Sequence, residues 1–408
     1  MTAITVTLGG GRAWFYWIIA TTFVLFLFNL QTGYNIINPE LESSLSLSVA
    51  QIGLVASTYT VVFAICQLFS GPLLDRFGIR WITPFAITVV AIGAMLLARA
   101  ENFEMLLVAE IVMALGSVFG FVGAGFVGGK WFGPAKFGLM FGFVQTASCI
   151  GSLFGGNIIN ECLADFSWRE IIETFSYFGF CLAIVVFIFL RDSHPMTGEF
   201  SVMSVLSKLV NAARVGQIWI IMLMGAALFG TLLCMAVVWA SKIIQSHGVG
   251  LSDANTASLL VWLGAGVAAA FMDKFSRMAK SRKKVVIICQ VIYILSILAL
   301  LYLPMDFYVA CCIILILGFV SSAQMLTFTM ASEVVPVELE GTSAAFVNSG
   351  MFIAGTILIS LPGYLLPDTR AHELTLGDFQ EAMTPIWIIN IVVLVIAIVF
   401  MKDTYKQG

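Results

Sequence analysis

Twelve stretches of predominantly apolar residues recur along this chain, at about 15–37, 49–74, 81–100, 104–129, 137–160, 170–190, 217–246, 253–272, 285–303, 306–331, 341–366 and 381–401. A bilayer core of roughly 30 Å asks for about 20 apolar residues per helix, and each stretch meets that length. Glycine and proline occur freely inside them, as membrane helices tolerate. Only 11% of the residues are charged and the mean hydropathy is +1.01. A soluble domain of this length needs a far more charged surface, so lipid must cover the remainder. The expected fold class is an all-α membrane protein of twelve transmembrane helices.

Lys and Arg orient the spans. With the N-terminus inside, sixteen of the twenty basic residues fall on the cytoplasmic side and only Arg99, Arg169, Lys242 and Arg370 on the other. The positive-inside rule then puts both termini in the cytoplasm. The longest charged interruption, about 191–216, divides the chain into a six-helix half (1–190), a cytoplasmic linker (191–216) and a second six-helix half (217–408). Within the linker, Val202, Val205, Leu206, Leu209 and Ala213 stand at helical spacing, which predicts a short amphipathic helix at the interface.

The two halves echo each other. Gly71-Pro72-Leu73-Leu74-Asp75-Arg76-Phe77-Gly78-Ile79-Arg80 ends the second stretch, and Ala269-Ala270-Phe271-Met272-Asp273-Lys274-Phe275-Ser276-Arg277 ends the eighth, with acidic-basic-Phe in register. Leu190-Arg191-Asp192-Ser193 closes the first half and Met401-Lys402-Asp403-Thr404 closes the second. One membrane unit used twice points to transport.

This organisation resembles the major facilitator superfamily. Gly71, Asp75, Arg76, Gly78 and Arg80 match the family's loop pattern, Gly-x-x-x-Asp-Arg-x-Gly-Arg, with one residue between Gly78 and Arg80. In the Asp273 copy, Ala269 and Ser276 stand where glycines would be. Pro134 with Gly138, Pro336 with Gly341, and Trp168-Arg169 are further family-like features. The resemblance implies a secondary transporter whose substrate site lies near the bilayer midplane between the two halves, an architecture for which the family is a standard example. It also implies that Gly71, Asp75, Arg76 and Arg80 form a conformational latch. For Asp273 and Lys274 a latch and a plain charged loop are equal readings. Departures are Glu110, where the family often carries an arginine, and Gly151-Ser152-Leu153-Phe154-Gly155-Gly156, which lacks the proline of drug exporters. A looser similarity extends to the phagosomal nutrient transporters of intracellular bacteria, many of which import amino acids.

Glu110 is the one carboxylate well inside a span, roughly two turns from its outer end. A charged carboxylate in mid-bilayer costs about 2.5–3.5 kcal/mol on insertion scales. Glu110 is therefore a candidate for proton coupling or for binding a cationic group, with a hydrogen-bonded structural Glu as the alternative. In the first stretch, Gln31, Tyr34, Asn35 and Asn38 share one helical face, which marks a wet cavity or a helix contact. Gln31, Tyr34 and Asn35 are candidate substrate contacts, joined by Tyr59, Gln145, Trp262, Gln324 and Asn348. Lys242 reads as a snorkelling side chain; turned inward, it would suit a substrate carboxylate.

Eight cysteines lie within or at the ends of apolar stretches, without metal-like spacing. His194, His247 and His372 fall in expected loops, and no nucleophile triad, ATP-binding loop or basic nucleic-acid patch is present. The expectation is a monomeric, multi-pass protein of a bacterial inner membrane, with no enzymatic activity, cofactor, metal or nucleic-acid partner. It moves a small polar metabolite, an amino acid or organic acid, with protons. A proton-driven exporter of drugs or metabolites and a non-transporting receptor are the alternatives.

Overall fold

A computed structural model describes residues 9–47, 49–133, 136–192, 202–367 and 374–405, apart from a few side chains within the helices. Every regular element in them is helical, and the chain divides into two compact units, Met1–Asn211 and Ala212–Gly408.

The first unit contains α1 (Gly10–Ser44), α2 (Val49–Phe77), α3 (Ile79–Ala98), α4 (Phe103–Ser117), α5 (Gly120–Phe132), α6 (Phe137–Cys162) and α7 (Trp168–Phe189). Helix α8 (Val202–Ala213) occupies the segment expected to be amphipathic and runs through the boundary between the units. Local chemistry starts these helices where they start. Asn102 accepts the Met105 N–H at 2.9 Å at the head of α4, and Ser167 with Glu170 forms a capping box on α7. The Trp168-Arg169 pair ties the neighbouring ends of α1, α3 and α7 together. The Arg169 guanidinium lies 4.1 Å from the Trp168 ring and donates to the Ala100 carbonyl, while Trp168 Nε1 donates to Ser44 Oγ. Gly151 and Gly155 face Phe28 and Asn29 of α1, where a Cβ at Gly155 would overlap the Asn29 amide. That run therefore serves helix contact.

The second unit contains α9 (Gly216–Cys234), a π-helical turn (Met235–Trp239), α10 (Ala240–Ser246), α11 (Leu251–Ala269), α12 (Met272–Met278), α13 (Arg282–Tyr302), α14 (Phe307–Ser321), α15 (Gln324–Glu333), a 3₁₀ turn (Val337–Leu339), α16 (Glu340–Leu365), α17 (Leu376–Ala382) and α18 (Thr384–Phe400). A fully buried amide network crosses it. Gln290 of α13 donates to Asn390 Oδ1 of α18 at 2.7 Å, and Asn390 donates to Thr231 Oγ1 of α9 at 3.0 Å. These contacts supply partners that a lipid-embedded amide cannot obtain from water.

Two spans are broken at matching places. Helix α4 ends at Ser117 before α5, and α14 ends at Ser321 before α15. Ser117 Oγ donates to the Met113 carbonyl, Ser321 Oγ to the Gly318 carbonyl and Ser322 Oγ to the Ala265 carbonyl. Such side-chain competition for carbonyls bends helices. Among the described residues ten spans are long and apolar enough to cross a membrane, or eleven when α11 and α12, bent by 51°, count as one. The stretch at 49–74 falls in α2, whose apolar part Thr58–Leu74 is shorter.

Candidate functional site

Three helices of the first unit bring polar groups together inside an apolar bundle. Gln31 of α1 donates its amide Nε2 proton to the hydroxyl of Tyr59 on α2. The Tyr59 hydroxyl also lies near the Ser117 hydroxyl and the Glu110 carboxyl of α4. Ser117 Oγ donates its own proton to the Met113 carbonyl at 2.8 Å. The Tyr59 ring is held by stacking on Phe63, with centroids 6.0 Å apart and planes 19° apart.

Glu110 lies two turns before Ser117 on the same face of α4. It is 3% exposed, and its Oε1 has no hydrogen-bond partner among the described residues. An unsatisfied carboxyl oxygen in an apolar interior is costly. A proton, a bound cation or a substrate hydroxyl would lower that cost.

Gln31, Tyr59 and Glu110 are thus brought into one cluster. Ser117, which the sequence reading did not single out, completes it; its position seven residues after Glu110 was the available signal. The side chains of Tyr34 and Asn35 lie outside the described residues. Gln145 is buried on α6 and turns along its own helix, donating to Cys149 Sγ at 3.4 Å.

In the second unit, Gln324 opens α15 at the helix break. It is 1% exposed, with neither amide atom hydrogen-bonded among the described residues. Asn348 of α16, 3% exposed, leaves its Nδ2 unpartnered among the same residues. Trp262 is half-buried on α11. Lys242 is exposed, with its ammonium 5.2 Å from the Trp239 ring centroid, the snorkelling arrangement.

The loop residues divide differently. Gly71 is buried in α2, Arg76 and Arg80 are half-buried, and the side chain of Asp75 lies outside the described residues. The Arg76 and Arg80 guanidinium carbons lie 5.9 Å and 5.4 Å from the Phe77 and Trp81 ring centroids. Lys274 is exposed, whereas Asp273 is buried and accepts from Arg277 at 2.7 Å and from Arg282 at 3.1 Å. Arg282 forms a second, bidentate pair with Glu333, 2.8 Å on each arm, and Thr404 Oγ1 donates to the same carboxylate at 2.7 Å.

The carboxylates that close each half cap a helix. Asp192 Oδ1 accepts the Ile79 and Arg80 N–H groups at 2.8 and 3.3 Å; Asp403 accepts from Ser281 Oγ and from the Arg282 N–H at 3.1 Å. Counted from the first helical residue, Arg282 is the counterpart of Ile79 and Ser281 that of Gly78. Ser276 follows Asp273 in the register of Gly78 after Asp75, but it lies inside α12 and does not cap a helix: the second loop carries five more residues between its Asp and its helix cap. Both Gly78 (φ 76°) and Lys280 (φ 50°) sit in the left-handed region.

Burial pushes the Asp192 carboxyl above the ordinary carboxylate range, outweighing the N–H groups of Arg80 and Ile79 and the Arg80 charge. For Asp403 burial acts in the same direction, but the Ser281 hydroxyl and the N–H groups of Tyr405, Arg282 and Lys283 outweigh it and hold the carboxyl below that range. Among the described residues no group of three or more His, Cys, Asp or Glu side chains is arranged to hold a metal ion.

Comparison with known proteins agrees with this architecture. The chain is 22% identical over 400 residues to the uncharacterized transporter YybO of Bacillus subtilis (strain 168), covering 90% of each chain. It is 23% identical over 167 residues to the hexuronate transporter of the same organism, 41% of this chain and 40% of that one. It is 26% identical over 181 residues to the probable L-galactonate transporter of Escherichia coli (strain K12), 43% of this chain and 40% of that one. The family model for the Major Facilitator Superfamily matches residues 17–359, more than four-fifths of the chain, and the protein belongs to that family of membrane transporters.

Proposed function

We propose that this protein imports a small polar metabolite together with protons, as a monomer of twelve spans in a bacterial inner membrane with both termini in the cytoplasm. Access to the substrate site alternates between the two sides of the membrane. The observation that carries the reading is the Gln31–Tyr59 hydrogen bond between α1 and α2, set near a buried Glu110 carboxyl whose Oε1 has no partner among the described residues. Hydroxyl and amide groups of this kind recognise a polyhydroxylated or zwitterionic solute. Glu110 carries the proton, taking it up on one side of the membrane and releasing it on the other. In the second unit, the Gln324 amide and Asn348 Nδ2, unpartnered among the described residues, are the proposed polar contacts, with Trp262 of that unit and Gln145 of the first as supporting positions. Gly71, Asp75, Arg76 and Arg80 keep the latch role, while Asp273 serves the internal tie of its own unit.

Amino acids and organic acids are the substrate classes. The hexuronate and L-galactonate names of two relatives favour hydroxy-carboxylates within the second class. The test is uptake by proteoliposomes of the purified protein against hexuronates, galactonate and amino acids, with and without an imposed inward proton gradient. The reading expects gradient-driven accumulation of a panel member, with KM rising about tenfold in Tyr59→Phe, the equivalent of one lost hydrogen bond of roughly 1.4 kcal/mol. Outward proton-driven flux of hydrophobic cations would replace it with an exporter, and saturable binding without flux with a receptor.

A further inference from the structure

We propose that the groove between α3 and α7 is a binding site for an anionic glycerophospholipid. Trp81, Pro84, Phe85 and Thr88 stand at i, i+3, i+4 and i+7 on α3; Phe180, Ala183, Ile184 and Phe187 repeat that spacing on α7. The two antiparallel stripes border an open groove of about 410 Å³ with an almost wholly apolar lining. Seven residues of helix make it roughly 10 Å long, room for the upper part of one acyl chain. Trp81, Phe85, Ile184 and Phe187 are all exposed on the protein surface.

The mouth of the groove is basic and aromatic. The Trp81 and Phe187 rings close it, with centroids 5.8 Å apart. The Arg80 guanidinium carbon lies 5.4 Å from the Trp81 centroid, and Arg80 Nε has no acceptor among the described residues. On the other helix, Arg191 Nη1 donates to the Leu190 carbonyl at 2.8 Å and to that of Phe187 at 3.4 Å, which fixes the guanidinium at the end of the α7 stripe. Asp192 stands nearby, committed to the Ile79 and Arg80 N–H groups. Two guanidiniums against one carboxylate leave one net positive charge, the complement of a single phosphodiester. A Trp at the same level suits the headgroup boundary, and basic groups there attract anionic lipid.

The same unit contains an internal contrast. A larger groove of about 590 Å³ lies between α1, α6 and α7, lined by Leu25, Ile158, Phe166, Phe175 and Phe178 with Glu170 and no guanidinium. An apolar cleft alone would favour that groove, whereas charge complementarity favours the smaller one.

Native mass spectrometry of the full-length protein, titrated with phosphatidylglycerol and chain-matched phosphatidylcholine, tests the assignment. The expected result is one retained phosphatidylglycerol per chain, favoured at least about fivefold over phosphatidylcholine. Arg191→Gln should lower its retention about fivefold, the equivalent of the roughly 1 kcal/mol a basic residue contributes at an anionic surface, while Arg191→Lys restores it. Thr88→Trp fills the groove without touching the cations and should lower retention of both lipids at this site. Equal retention of the two lipids by the wild type would overturn the proposal. So would an Arg191→Gln variant that holds phosphatidylglycerol unchanged. If that variant does not fold, undiminished retention in Thr88→Trp decides against the site.

Discussion

The two units solve the same problem at the basic ends of their helices with different chemistry. In the first, the turn into α3 uses a glycine at φ 76°, and a Cβ there would come within 2.5 Å of the Asp192 carboxylate that caps the helix. In the second, Lys280 takes the left-handed turn, Asp403 caps α13, and the ion network of Asp273, Arg282 and Glu333 packs beneath. The first loop is held by shape and the second by charge. A duplicated unit can thus keep its turn and its cap while exchanging what secures them.

The comparison breaks most visibly at Arg282, whose side chain is 9% exposed and holds two carboxylates. Removing one partner of a buried ion set costs about 3–5 kcal/mol. Arg282→Gln should therefore lower the thermal stability of the purified protein by that order, and a variant melting with the wild type would remove the charge-held account. Next is Gly78→Ala, which meets both the left-handed φ and the Asp192 carboxylate. It should cost about 1–2 kcal/mol, while Lys280→Gly should be neutral or stabilising by up to about 1 kcal/mol. Equal losses at both positions would show that the two turns are not equivalent.

The carboxylate caps sharpen the comparison through pH. The Asp403 carboxyl is held below its ordinary range, so its contribution is present above the unfolded value of about 3.9 and is lost as pH falls through the folded value. The Asp192 carboxyl is raised, so its contribution is present below the unfolded value and lost as pH rises through the folded one. At neutral pH, Asp403→Asn should destabilise by under about 1 kcal/mol, given its exposure, and Asp192→Asn should be neutral or slightly stabilising. Melting both variants between about pH 2 and 7 reads the two signs, and matching pH profiles would contradict the assignment. The smallest effect belongs to Arg277→Gln. Its side chain is 49% exposed and pairs with Asp273 across one helical turn, so the loss should stay within about 0.5 kcal/mol.

Polar groups inside apolar stretches were the most legible feature of the sequence. Gln31, Tyr59 and Glu110 stood out because lipid tolerates few such residues, and the structure joins them. Ser117 blended into its span because a serine satisfies itself on the preceding turn. The Gln290–Asn390–Thr231 network was open to the same argument, but its members come from three distant stretches and no spacing connects them. Arg282 and Glu333 lie at span ends, where charges are ordinary, so only three-dimensional proximity identifies them as a pair. The echo of Asp192 and Asp403 was visible, yet its meaning as a helix cap needed the backbone, and the five-residue difference between the loops hid the match of Gly78 with Ser281 as caps. Of the twelve expected stretches, ten or eleven appear as full-length spans among the described residues.

The most direct test of the central claim compares wild type with Glu110→Gln in proteoliposomes, once a transported solute is identified, using the same protein for accumulation under an inward proton gradient and for equilibrium counterflow. If Glu110 carries the coupling proton, the variant loses gradient-driven accumulation and keeps counterflow, because exchange of solute needs no net proton movement. Accumulation that persists in Glu110→Gln at the wild-type level would contradict the account and return this carboxyl to a structural role.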